Sequence, residues 1–137
     1  MKTLKLATFL FLAFLTFNCS SDDDSPAPTP EPTTQELLMS GKWFIKSING
    51  EAPENDCIKQ TNWHFINEDT LITINYSINV DDECESESTN FNYILSNDGK
   101  KLVAYLEGES PEIVSIDSVS MSELIVSNPG IEIIFEK

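Results

Sequence analysis

"ITINYSINV", residues 72–80, sets Ile72, Ile74, Tyr76, Ile78 and Val80 against Thr73, Asn75, Ser77 and Asn79 without a break. A period of two sustained over nine residues is the pattern of a β-strand with one apolar and one polar face. The apolar face is expected to look into a core.

The same device recurs on both sides of this stretch. "NFNYIL" (90–95) alternates Phe91, Tyr93 and Leu95 with polar residues, and "GIEIIFEK" (130–137) sets Ile131, Ile133 and Phe135 against Glu132 and Glu136. "KWFIKSI" (42–48), "TNWHFI" (61–66), "KLVAYLE" (101–107), "EIVSIDSV" (112–119) and "ELIVS" (123–127) bring the count to eight strands. Asn97-Asp98-Gly99 suits a tight hairpin, and Pro129-Gly130 supplies the backbone angles of a type II turn. Every connection is too short for a crossover helix, so the strands must run antiparallel as a meander. The expected fold class is therefore all-β, an eight-stranded antiparallel up-and-down barrel over residues 35–137, which closes the edges that an open sheet would leave bare. A helical turn is expected at "QELLMS" (35–40).

The front of the chain has a different composition. Lys2 and Lys5 precede "LATFLFLAFLTF", an apolar run of export-signal length that is short for a spanning helix. Cys19 follows directly, in a position that resembles the lipobox of bacterial lipoproteins; the resemblance implies cleavage of residues 1–18, acylation of Cys19 and attachment to the outer membrane. A multiply acylated cysteine holds firmly, because each buried methylene contributes roughly 0.8 kcal/mol. Residues 19–34 carry Pro26, Pro28, Pro30 and Pro32 among small and polar residues, a linker that cannot bury a core. At about 3.1 Å per residue it would stand the domain on the order of 45 Å off the bilayer. Asp22-Asp23-Asp24 reads as solvated linker, and also resembles the acidic tag of surface-exported lipoproteins.

The whole chain of 137 residues carries a formal charge of −15, with 23 acids against eight lysines and no arginine. Removing residues 1–18 takes away Lys2 and Lys5 and no acid, leaving six lysines against 23 acids, or −17. Nucleic acid is excluded as a partner, since its binding depends on cations that displace counterions. With Cys19 acylated, Cys57 and Cys84 are the two thiols left, and in an oxidising compartment they are expected to pair. In an up-and-down barrel alternate connections share an end, so the connections carrying these cysteines meet at one rim, where a disulfide is allowed. A metal or redox site would need CxxC spacing or several histidines, and His64 is the sole histidine.

"GKWFIKSING" (41–50) looks like the Gly-x-Trp first strand of lipocalins. The order Gly-x-Trp, Cys57, "WHFINEDT" (63–70), Cys84 resembles the compact lipocalin-like domain of bacterial envelope lipoproteins, over residues 38–137. The resemblance implies that Gly41 and Trp43 close the barrel floor. The residues expected inside, where a ligand would touch them, include Trp63, Tyr76, Ile78, Phe91, Tyr93, Leu106, Val114 and Ile131. A barrel of eight strands either fills with side chains or leaves room for one small guest. Two functions therefore stand side by side: an anchored, monomeric carrier of a small apolar ligand, and a non-catalytic interaction or structural module with a filled interior and an unidentified protein partner.

The connections at the shared rim carry Glu51, Glu54, Asp56, Asp81, Asp82, Glu83, Glu85, Glu87, Glu107 and Glu109, so a neutral or cationic guest is expected rather than a carboxylate. "DDECESE" (81–87) invites a calcium reading but lacks the glycine and ligand spacing of a calcium loop, and reads as a solvated acidic turn. No catalytic set, metal or cofactor is expected; His64 alternates with Trp63 and Phe65 and should face outward. Phe44, Ile48, Ile125 and Ile134 fall on the outer side, a patch that is expected either to be covered by Leu37, Leu38 and Met39 or to form a partner-binding surface.

Overall fold

The Thr33 hydroxyl accepts from the Glu36 N–H while the Glu36 carboxylate accepts from the Thr33 N–H, a reciprocal capping box that starts the first element. The computed structural model describes residues 30–137; the expected leader, Cys19 and most of the linker lie outside the described residues. The elements are α1 (Thr34–Met39), β1 (Lys42–Ile48), a single 3-10 turn at Ile58–Gln60, β2 (Asn62–Phe65), β3 (Thr70–Ile78), β4 (Cys84–Leu95), β5 (Lys101–Tyr105), β6 (Glu112–Val119), β7 (Glu123–Asn128) and β8 (Ile131–Glu136).

Each strand pairs antiparallel with the next, and β8 returns to β1, closing an eight-stranded up-and-down barrel. The fold class is the expected one. Register shifts between Ile45 and Ser47 and between Ile116 and Ser118 let β1 and β6 bend around the barrel. One row of paired residues, Trp43, Trp63, Thr73 and Thr89, fixes which side is inside, because directly opposed side chains share a face. Trp43, Phe65, Leu71, Tyr93, Leu102, Leu124 and Phe135 are buried on that face. The rings stack efficiently: Trp63 lies 4.8 Å from Phe135, and Phe65 meets Tyr93 edge-on at 5.2 Å.

Three expectations are corrected here. β3 turns its other face inward: Leu71 and Thr73 are buried, whereas Ile78 is 41% exposed and Val80 99%. Ile72, Ile74, Tyr76 and Ile78 lie on the outside, so Tyr76 and Ile78 do not belong to the barrel interior. Their partial cover is the β1–β2 connection, which folds back along the outer surface. The Tyr76 N–H donates to Thr61 Oγ1, and Asn62, opposite Ile74, is 4% exposed and gives Nδ2 to the Gln60 carbonyl. Alternation reports that a face is covered but is silent about what covers it.

The second correction concerns α1. Leu38 is fully buried in the core, and the Trp43 indole N–H donates to its carbonyl at 2.8 Å. The segment thus plugs the floor and does not shield the outer face, where Phe44 stays exposed and Ile125 and Ile134 half-buried. Ile48 was also expected outside; the shift in β1 instead sets it opposite Ile133 at the mouth.

Candidate functional site: the barrel mouth

The two ends of the barrel differ in how completely they are closed. At the floor, α1, the β2–β3, β4–β5 and β6–β7 turns and Lys137 converge. The ammonium of Lys137 lies 4.1 Å from the centroid of the Trp43 ring and reaches the Ser40 hydroxyl. In a chain without arginine, a lysine supplies the cation over this indole. Gly41 leads into β1 beneath it, and a Cβ added there would lie 3.7 Å from Lys137 Cδ, an ordinary van der Waals contact. Tyr93 completes the seal: it is 1% exposed, its hydroxyl donates to the Asn67 carbonyl and accepts from the Gln35 amide, and burial pushes its phenol above the ordinary range.

The other end carries the disulfide. Cys57 and Cys84 are bonded, with Cα atoms 5.7 Å apart, and tie the β1–β2 connection to the start of β4. The Cys57 sulfur sits 3.3 Å from the Ser77 carbonyl oxygen, on the outer side of β3. The pairing expected from the cysteine count and the meander is present.

At this same end the barrel opens into a cleft of about 110 Å³, walled by Trp63 of β2, Glu112 and Val114 of β6, Val126, Ser127 and Asn128 of β7, and Ile131 and Ile133 of β8. Trp63, Val114 and Ile131 stand where the sequence reading put them. Phe91 is half-buried on the inner face against the core, and Leu106 is half-buried where β5 leaves the barrel, but neither lines the cleft. Tyr93 is inside yet belongs to the floor. Glu112 and Asn128 were missed. Their signal was available: Glu112 stands two residues before Val114 on one strand, and Asn128 two after Val126 on another, so both share the inward phase.

A volume of this size is well below the roughly 300–1,000 Å³ of a pocket for a drug-sized ligand, and below the roughly 150 Å³ that holds a benzene ring in an engineered cavity. The cleft is open to solvent at its top, so it accepts the end of a molecule and not the whole of one. Its chemistry is an indole and aliphatic walls with one carboxylate and one amide at the lip, an arrangement suited to an apolar group bearing a neutral or cationic polar end. Two larger depressions are broad and open: one of about 480 Å³ lies at the mouth end against Ile48 and the β1–β2 connection, and one of about 610 Å³ lies beside Thr34, the β4–β5 turn and β6. His64 pairs with Lys42 and Ile72 on the outer side. Among the described residues no three His, Cys, Asp or Glu side chains converge to hold a metal ion.

A family model described as a lipocalin-like domain matches residues 39–126. Among solved structures, a lipocalin-like protein from Bacteroides uniformis superposes with a TM-score of 0.52 at 17% identity, over 73% of this chain and 98% of that one. No curated protein matches the chain.

Proposed function

The chain belongs to the lipocalin-like domain family, and from that premise we propose that it is a lipid-anchored, monomeric envelope protein whose barrel mouth seats the apolar end of a small neutral or cationic compound. The observation that carries this reading is the cleft itself: Trp63 and aliphatic side chains form its wall, Glu112 stands at its lip, and the floor beneath is sealed. The apolar wall favours a short branched chain or the edge of a ring, and the acidic rim disfavours a carboxylate there. The protein acts by binding and not by catalysis.

Anchoring rests on the sequence alone. The lysine-led apolar leader, the cysteine directly after it and the proline-rich linker support acylation of Cys19 and display at the outer membrane, with the acidic residues after Cys19 favouring the cell surface. Labelled fatty acid fed to expressing cells should enter the wild-type protein and not Cys19→Ala, and added protease should shave the domain from intact cells.

Guest binding is tested with benzylammonium, benzyl alcohol and phenylacetate titrated against intrinsic tryptophan emission of the purified protein. We expect a saturable response that is strongest for the cation, weaker for the alcohol and weakest for the anion, and lost in Trp63→Leu. Absence of any saturable response would reject the carrier reading and leave the filled-barrel interaction module, which the small volume of the cleft favours.

A further inference from the structure

The closed barrel leaves one stretch of β4 without a second neighbour. β4 pairs with β3 from Cys84 to Asn92, but β5 accompanies it only from Asn92 to Leu95. Beyond Tyr105 the chain turns away, the Glu109 N–H donating to the Leu106 carbonyl, and β6 begins at Glu112. The direction of the backbone groups follows from the bonds on either side. The Tyr93 N–H donates to the Asp69 carbonyl on the β3 side, and the Glu83 carbonyl accepts from Asn79 on that same side, so odd-numbered residues face β3. The Ser96 N–H donates to the Lys101 carbonyl on the β5 side. Cys84, Ser86, Ser88 and Asn90 therefore point their N–H and C=O groups outward along an edge that no strand among the described residues occupies.

This edge is held in place before anything binds. The disulfide ties Cys84 to the β1–β2 connection, and the Asn79 side chain accepts from the N–H groups of Asp81 and Glu83 at the hairpin tip. All of residues 84–88 are exposed. Glu85 and Glu87 project on the side of the barrel mouth, with Asp81, Asp82 and Glu83 just beyond. That charge opposes edge-to-edge pairing with a second copy, since identical acids would face one another, and it complements a cationic strand.

We propose that the free edge of β4, Cys84 to Asn90, is a β-augmentation site for an extended segment of a partner protein with lysine or arginine at alternate positions. The incoming backbone takes the line that β5 vacates and bonds to Ser86, Ser88 and Asn90, while its cations meet Glu85 and Glu87. Occupancy of the mouth cleft is not required.

The test uses the purified protein and a short peptide alternating lysine and threonine, with a second version N-methylated on the amides of one edge. We expect saturable binding by fluorescence anisotropy, protection of the Ser86, Ser88 and Asn90 amides from hydrogen exchange, and a loss of about tenfold or more in affinity on N-methylation, as for the removal of more than one net backbone bond. Ser86→Pro should lose affinity similarly while leaving the β3 ladder intact, because the Ser86 N–H faces away from β3, and E85Q/E87Q should weaken binding and flatten its salt dependence. Binding indifferent to N-methylation and without protection of those amides would reduce the edge to an electrostatic patch and overturn the proposal. So would no binding, or a concentration-dependent dimer that protects the same amides with no peptide present.

Discussion

Tyr93 and Lys137 show how single side chains seal the floor. Tyr93 buries its ring against Phe65 and spends its hydroxyl on two partners, Asn67 and Gln35, so Tyr93→Phe leaves a carbonyl and an amide short of a bond. We expect a loss of about 1–3 kcal/mol in urea unfolding. Burial is the main cause of its raised phenol pKa, and the sign follows: a proton held more tightly in the folded state stabilises it fully below the unfolded value near 10.0. That contribution is lost as pH climbs through the folded value. Stability measured between neutral pH and strong alkali should fall in the wild type and fall less steeply in Tyr93→Phe; equal slopes would mean the phenol is not the group responsible. For Lys137 the opposite direction holds, since burial lowers its pKa, and the indole face beneath the ammonium offsets part of that cost. Lys137→Met would keep the stem over Trp43 and isolate the charge.

At the scale of the element, β3 and the connection that crosses it form one unit. The alternation in residues 72–80 was legible as a strand, and its boundaries fall close to Thr70–Ile78, but the face was assigned wrongly. Leu71 and Thr73 are the residues that reach the core, and a threonine in that phase looked polar enough to be outside. The apolar row instead lies under a loop that the disulfide pins down. Cys57→Ser with Cys84→Ser should therefore do more than lower global stability by about 3–4 kcal/mol in the chain-entropy model. It should raise hydrogen exchange selectively in the outer part of β3, in β4 up to Asn90 and in the turn at Ile58–Gln60, while Tyr93 and Trp43 amides stay protected as far as the remaining stability allows. Uniform acceleration across all strands would show that the bridge braces the whole barrel and not this flap.

For the whole molecule, acidity and closure act against each other. Among the described residues the ion pairs are Lys46 with Glu123 and Lys59 with Asp56, both exposed and screened by solvent, so they cannot balance the excess of acids. Screening should help: the melting temperature is expected to rise as sodium chloride is added from low to moderate concentration, and a fall would mean that these pairs outweigh the general repulsion. The number of strands, their order, the antiparallel meander and the pairing of Cys57 with Cys84 were all contained in the one-dimensional pattern, because turn chemistry, strand period and connection length are local properties. The face that β3 turns inward, the burial of Leu38 in the floor, Lys137 over Trp43 and the open edge of β4 were not. Each of these depends on which distant segment occupies the space beside a residue, and that is decided only when all eight strands close and compete for one interior.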